Sequence, residues 1–377
     1  MAFVLFKYFP YGGLQRDFLR VAEACVARGL RVRVYTLEWE GPVPDGLEVV
    51  QVSVGGWRNT VRYRRFAEWV REDLAWRPVR CVVGFNKLPG LDLYYAADPC
   101  FEEKAREQRG GHYRWTPRYR LFSRFERAVF DPTAPTRILL ITPRQQQSFQ
   151  RYYGTPAERF TLLPPGVGRD RRRGDDAADL RAGLRTEFGV GDDELLVLFL
   201  GSGFITKGLD RAVLAVAALP PAVRDRVRLF VVGQDSPERF LDLAAGLGVA
   251  DQVTVFSGRD DVPRFLQGAD LLLHPAYMES GGIVLLEAVI AGLPVITTDV
   301  CGFAPYVVQA DAGRVLESPF QQRALNDALR EALTDPARRA CWARNGVAFG
   351  RRADLFSMPE RAADLIEEQV GGTTVSA

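Results

Sequence analysis

Apolar and polar positions along the chain alternate between two rhythms: short apolar runs of strand length, and stretches where apolar residues recur every three or four positions. Residues 2–8 form the first run, followed by Pro10-Tyr11-Gly12-Gly13. Next comes an amphipathic helix with Leu14, Phe18, Val21, Ala22 and Cys25 on one face, closed by Ala27-Arg28-Gly29. Residues 31–36, 47–52, 81–85 and 137–141 predict further strands, with a helix over 63–75. This order predicts a doubly wound parallel sheet whose ligands sit beyond the carboxyl ends of its strands.

A second series of the same kind begins at residues 195–200, a strand that runs into Gly201-Ser202-Gly203-Phe204-Ile205-Thr206-Lys207-Gly208 and then a helix over 210–218. A strand over 227–232, a helix over 237–247 and a strand over 253–256 follow, then an apolar run over 269–275. That run leads through Met278-Glu279-Ser280-Gly281-Gly282 into a helix whose residues are nearly all apolar, and Pro294-Val295-Ile296-Thr297-Thr298 reads as one more strand. Beyond Pro319 the pattern is helical, with a last amphipathic helix from Met358 and a frayed tail over 371–377. The fold class is therefore α/β, with two Rossmann-like doubly wound domains facing across a deep cleft. The boundaries fall at 1–165 for the first domain and 166–355 for the second, with 356–377 a helix crossing back to the first and then the tail. Residues 169–176, Arg169-Asp170-Arg171-Arg172-Arg173-Gly174-Asp175-Asp176, read as a charged, exposed linker.

At 377 residues the chain suits two domains. Its 47% hydrophobic and 25% charged residues are those of a globular protein, and 49 basic against 47 acidic residues exclude a global attraction to nucleic acid. Five scattered cysteines without a C-x-x-C pair fit a reducing compartment and neither a disulfide framework nor a zinc site. Only two histidines occur, His112 and His274, which removes most histidine-based metal or triad chemistry. The N-terminal residues read as a first strand rather than a signal peptide, and no run of about 18 apolar residues spans a membrane.

Candidate chemistry concentrates at the glycine-rich turns. Ser280-Gly281-Gly282 has the composition of a helix start, where backbone N–H groups and the helix dipole favour an anion such as a diphosphate. Glu279 lies just before that start and Glu287 more than a turn inside it, where a buried carboxylate requires a partner such as ribose hydroxyls. Gly12-Gly13 offers a close backbone approach in the first turn, although it is not the G-x-G-x-x-G fingerprint. Asn86, Lys87 and Asp98 follow strand ends, so Asp98 is either a turn residue or a site group. Between 103 and 127, Lys104, Arg106, Arg109, Arg114, Arg118, Arg120, Arg124 and Arg127 alternate with Tyr113, Trp115, Tyr119, Phe122 and Phe125. Such a segment is either a solvated helical face, a surface for anionic lipid or a phosphorylated glycolipid, or a site for single-stranded nucleic acid.

With Gly12-Gly13, Lys207, Gly258-Arg259 and Glu279-x7-Glu287 in this order, the chain resembles the retaining GT-B glycosyltransferases, family 4 in particular, over nearly its full length. It is similar above all to the lipopolysaccharide core transferases that add the first hexose to the inner-core heptose region, the WaaG or RfaG family. The matching stretches are Lys7-Tyr8-Phe9-Pro10-Tyr11-Gly12-Gly13-Leu14-Gln15-Arg16-Asp17-Phe18, Val83-Gly84-Phe85-Asn86-Lys87-Leu88-Pro89-Gly90-Leu91-Asp92 and Leu162-Leu163-Pro164-Pro165-Gly166. To these His274-Pro275-Ala276-Tyr277 adds a fourth, leading into Ile283-Val284-Leu285-Leu286-Glu287-Ala288.

The resemblance implies a UDP-sugar donor lying mainly against the C-terminal domain, with Glu287 on the ribose and Gly258 and Arg259 bordering the uracil. It implies that Arg171 and Lys207 neutralise the diphosphate, helped by N–H groups at Gly13 and around Gly281, Gly282, Ile283 and Val284. Glu279 touches the sugar hydroxyls, Asp17 and Asp98 face the acceptor, and no metal or other cofactor is needed. Implied partners are the lipid A–inner core acceptor and the anionic surface of the inner membrane, on its cytoplasmic face, through the basic aromatic segment; nucleic acid is not among them. Relatives often carry an arginine beside the phosphate-loop lysine and another nearer the strand end, where this chain has Thr206 and Ser202. Alternatives are a family 4 transferase acting on another soluble or lipid-linked sugar, a GT-B epimerase, or a sugar-nucleotide-binding protein without catalysis.

Overall fold

The structure is a computed structural model and describes residues 1–10 and 12–372. Tyr11 of the first turn and residues 373–377 of the expected tail lie outside the described residues, while 371 and 372 still belong to the last helix, Met358–Gly372. The chain divides into two compact units: Met1–Gly166 together with the chain from Ser357 onward, and Val167–Phe356.

The first unit is built on a seven-stranded sheet, in spatial order Leu47–Gln51, Val32–Thr36, Ala2–Val4, Val82–Gly84, Leu93–Ala96, Arg137–Leu140, Phe160–Leu162. Every pairing is parallel. The order runs outward from the first strand and then reverses, which is the doubly wound pattern. The first apolar run is shorter than its sequence suggested: Ala2–Val4 belongs to the large sheet, while Lys7–Tyr8 leaves it to pair with Glu38–Trp39 in a separate two-stranded ribbon. Stacking of Tyr8 on Trp39, at 4.0 Å between ring centroids, gives that departure its packing. The helix Gly13–Ala27 buries Phe18, Val21, Ala22 and Cys25, the face its periodicity predicts. Met358–Gly372 packs within this unit, where Met358, Ala362, Ala363, Leu365 and Ile366 share a core with Phe18, Val21 and Ala22.

The second unit carries a six-stranded parallel sheet in the order Val253–Phe256, Val227–Val232, Leu195–Leu200, Leu271–His274, Val295–Thr298, Gly313–Leu316. Leu195–Leu200 and Leu271–His274 lie side by side where the order reverses. The chain leaves these two strands toward opposite faces of the sheet, with helix Leu209–Ala217 in one core layer and helix Ile283–Ala291 in the other. Such a switch point at the carboxyl edge is where this kind of sheet takes ligands. The loops that follow the two strands are the two glycine-rich stretches, 201–208 and 275–282. Helix Ile283–Ala291 is buried at every residue from Val284 to Ala291, wedged between the sheet and helix Pro336–Arg352.

The expected linker over 169–176 differs from its reading. Its first part folds as a tight turn, Arg169–Arg171, and Arg171 is buried rather than exposed because its guanidinium faces Glu287. Two short edge strands, Phe160–Leu162 and Gly313–Leu316, escape the sequence pattern because three or four residues show no periodicity.

Candidate active site

The switch point brings together residues 72 positions apart: Lys207 Nζ donates to Glu279 Oε2 in a half-buried ion pair. The backbone around the pair leaves little freedom. Gly208 adopts φ +77°, and a Cβ there would stand 2.2 Å from the carbonyl oxygen of Pro275, so only glycine lets the two loops meet. Tyr277 N donates to Thr206 O at 2.8 Å, which ties the second loop to the first. Arg211, one turn into the next helix, lies over the rings of Tyr277 and Phe320 at 3.4 and 3.6 Å. It also donates to the carbonyls of Pro275 and Ala276 at 3.1 and 3.0 Å. Arg211 is thus a structural clamp of the site with no signal in the sequence, since one arginine on a helix resembles any other.

Burial works against a charge on Glu279, but His274 and Lys207 together outweigh it and hold the carboxyl at about 2. His274, fully buried at the end of its strand, is pushed the other way by desolvation, so its imidazole is neutral at ordinary pH. On the far side of Glu279 the backbone is fixed by a bridge to Cys301 and by Phe303 N donating to Gly281 O at 2.8 Å. Gly282 caps helix Ile283–Ala291 at φ +83°, and the first turn closes with Leu285 N on Gly282 O at 2.9 Å. N–H groups of Gly282, Ile283 and Val284 precede that first intrahelical bond, so the helix presents them to an anion.

The start of the 201–208 loop is different. N–H groups of Gly203 and Phe204 both donate to Asp235 Oδ2 at 2.7 Å, so this turn spends its donors on the protein itself. The loop offers an anion the Lys207 ammonium. Asp235 was not among the residues the sequence singled out, and its place after a strand end is the signal that would have marked it.

Glu287 is buried on the inner helix with Arg171 Nε 3.5 Å from its Oε1. Arg171 is therefore brought to Glu287 rather than to Lys207, and the site has two charged centres, Lys207 with Glu279 and Arg171 with Glu287. Arg259 is committed to Asp261 at 2.6 Å and lies over the Phe265 ring at 5.1 Å, with Gly258 packed on Gln234.

In the first unit, Gly13 is exposed at the start of its helix, and Asp17 on the same helix accepts from Tyr95 OH at 2.8 Å. Asp98 is exposed beyond strand Leu93–Ala96, and its carbonyl accepts from Gln145 Nε2 at 3.2 Å. The basic aromatic segment folds as helix Phe101–Glu107, the turn Gly111–Trp115 and helix Pro117–Phe130. Arg106, Arg109, Arg114, Arg118, Arg120 and Arg124 are exposed, Lys104 is partly covered, and Trp115 is 76% exposed. Beneath them Glu126 is fully buried and accepts from Lys87 Nζ at 2.5 Å, from Tyr153 OH at 2.6 Å and from Phe101 and Glu102 N–H at 2.7 and 2.9 Å.

Residues 182–348 match the family model described as glycosyl transferases group 1. Over 372 residues the chain is 48% identical to the lipopolysaccharide glucosyltransferase WaaG of Escherichia coli K12, covering 99% of this chain and all of that one. A crystal structure of WaaG, described as a glycosyltransferase involved in lipopolysaccharide biosynthesis, superposes with a TM-score of 0.94 at 48% identity, covering 97% of this chain and 99% of that one. At 18% identity the Anabaena protein HepE, solved with UDP and glucose, shares the fold, with a TM-score of 0.73 over 97% of this chain and 99% of its own. The two parallel doubly wound sheets are those of the GT-B fold, and identity at this level along the whole of both chains shows the family. The chain is a glycosyltransferase and belongs to the WaaG family.

Proposed function

We propose that the enzyme transfers glucose, or a closely related hexose, from a UDP-sugar to an inner-core heptose of lipopolysaccharide, with retention of configuration. The observation that carries this reading is the Lys207–Glu279 pair set in front of the helix start at Gly282, with Glu287 further along the same helix. A diphosphate placed there meets one ammonium and a row of backbone N–H groups, which oppose the negative charge that grows as the glycosidic bond breaks. Glu287, with Arg171 beside it, takes the ribose end, and the donor sugar comes to Glu279. In the free enzyme Glu279 is held at about 2, where it is a poor proton acceptor, and its assigned task is to hold sugar hydroxyls. The donor sugar and the lipopolysaccharide acceptor follow the E. coli relative's name, and Asp17 and Asp98 are assigned to the acceptor.

The same proposal needs no metal, because the Lys207 ammonium and the N–H groups at the helix start oppose the charge of the diphosphate. It places the enzyme at the cytoplasmic face of the inner membrane, held peripherally by the basic aromatic segment; among the described residues no helix is long and apolar enough to cross a membrane. Arg118 lies over the Phe122 ring at 5.0 Å and Arg109 over Tyr113 at 5.6 Å, so guanidinium and ring form one amphipathic surface, which suits anionic headgroups.

The test is transfer from a panel of UDP-hexoses to a truncated, heptose-terminated core acceptor, with and without EDTA. One donor is expected to support transfer, EDTA to leave the rate unchanged, and the anomeric configuration of the product to match that of the donor. Turnover of none of the donors, or an inverted product, contradicts the proposal. Replacing Arg118, Arg120 and Arg124 together by serine is expected to weaken binding to phosphatidylglycerol-containing vesicles by about 10-fold or more, at ~1 kcal/mol per charge, with UDP affinity unchanged. Equal vesicle binding by the triple variant at moderate salt removes the membrane assignment.

A further inference from the structure

His274 stands behind Glu279, and beyond helping to lower the pKa of that carboxyl it has no assigned task. It is 0% exposed, and neither Nδ1 nor Nε2 has a hydrogen-bond partner among the described residues. Buried polar groups are ordinarily paired, so an imidazole with two idle nitrogens in a packed site calls for an explanation. The ring has little room to look elsewhere. It lies nearly parallel to Phe199, with 6.1 Å between centroids, and its own carbonyl accepts from Thr297 Oγ1 at 2.9 Å. Its Nε2 faces Glu279 Oε2 at 3.8 Å, and this is the very oxygen that Lys207 occupies. The gap is roughly 1 Å longer than a hydrogen bond, so a small shift of the carboxylate closes it.

Two groups thus converge on one oxygen, and only Lys207 is within hydrogen-bond distance of it. Lys207 has a second claim on it, because the proposed function assigns the same ammonium to the diphosphate. Once that anion arrives, Glu279 loses its cation while it remains buried and charged, a state that demands another donor. A neutral imidazole carries one N–H that can meet this demand.

We propose that His274 is a positioning residue for Glu279: when a diphosphate draws Lys207 away, the Nε2–H of His274 donates to the vacated Oε2 and keeps the carboxylate aimed at the donor sugar. A neutral donor suits this task better than a second cation, because it fixes the carboxylate without cancelling the charge that grips the sugar hydroxyls. The inference rests on the donor assignment made above, and it adds an exchange of partners at Glu279 on donor binding.

With only two histidines in the chain, the exchange is directly observable. In protein labelled with ¹⁵N-histidine, His112→Gln assigns the remaining ring signals to His274. Saturation with UDP is expected to move the His274 Nε2–H proton downfield into the hydrogen-bonded range, whereas uridine, which has no diphosphate, leaves it in place. UDP that binds by calorimetry without moving this signal overturns the exchange and leaves the donor assignment standing. UDP that does not bind overturns both. In kinetics, His274→Phe keeps the ring packing and removes the donor; kcat is expected to fall about 10- to 100-fold through a misplaced carboxylate, with the Kd for UDP unchanged. His274→Gln, whose side-chain amide reaches the same oxygen, is expected to recover most of that loss. A Phe variant as active as the parent, or a Gln variant no better than Phe, overturns the proposal, and the resonance experiment stands even where the Phe variant fails to fold.

Discussion

At the residue scale, the charge on Glu279 links catalysis to stability. Its carboxyl is held at about 2 in the folded chain against an ordinary 4.5, so the native state favours the ionised form. A depressed folded pKa contributes stability that is fully present above the unfolded value and is lost as pH falls through the folded one. The window for this residue runs from 4.5 down to about 2. Unfolding free energies of the parent and of Glu279→Gln, measured in urea over that range, are expected to converge by on the order of 3 kcal/mol toward low pH. A constant difference across the range contradicts the pairing. The same substitution leaves the shape of the side chain but weakens its hold on sugar hydroxyls, and kcat is expected to drop about 100-fold or more with UDP affinity little changed. Conversely, the kcat/KM profile of the parent, which reports the free enzyme, should show no titration of this carboxylate above pH of about 4.

Elements, rather than single residues, explain how the basic aromatic segment keeps its shape. In the sequence Glu126 is one acid among the arginines of a cationic run. In the fold it is the buried post on which the segment hangs, accepting the first N–H groups of helix Phe101–Glu107 and the ammonium of Lys87. Replacing Glu126 by alanine leaves Lys87 buried without its counter-charge, at a cost of about 3–5 kcal/mol. A fall of that size in the urea stability of the first unit checks the assignment, and a change below about 1 kcal/mol refutes it. The contrast shows what local pattern conveys. Long periodic helices such as Gly13–Ala27 and strands bounded by glycines were legible because their burial repeats with the local geometry. Glu279 and Glu287 were legible in the sequence from a glycine-rich turn after an apolar run, and Lys207 only through the family resemblance. Glu126, Arg211, Asp235 and the two idle nitrogens of His274 were not, since each owes its role to a partner many residues away. The buried state of Arg171 was missed for the same reason: a run of arginines and aspartates looks exposed until Glu287 is placed opposite one of them.

For the whole molecule, the last helix tests how the chain is divided. Met358–Gly372 follows the second unit in sequence but belongs to the core of the first, where Met358, Ala362, Ala363, Leu365 and Ile366 are essentially solvent-free. Arg28 Nη2 reaches Asp364 at 2.6 Å from the end of helix Gly13–Ala27, but a pair this exposed adds little beside the apolar contact. Burying a large apolar side chain is worth about 1.5–3 kcal/mol, so three of these residues alone represent several kcal/mol. The stability of a domain is about 5–15 kcal/mol in total. Removing the chain after Phe356 therefore strips the first unit of much of its margin and exposes the apolar face of helix Gly13–Ala27. The second unit keeps its sheet, the Lys207–Glu279 pair and the start of helix Ile283–Ala291, none of which involves the removed segment. In calorimetry the truncated chain is expected to lose or sharply lower the transition of the first unit, while the transition of the second remains and still rises on adding UDP. Saturation at 100 times Kd corresponds to about 2.7 kcal/mol of added stability. Loss of both transitions together would mean that the two units fold as one cooperative block and that the last helix stabilises the whole chain; survival of both would mean that the first unit holds together without it.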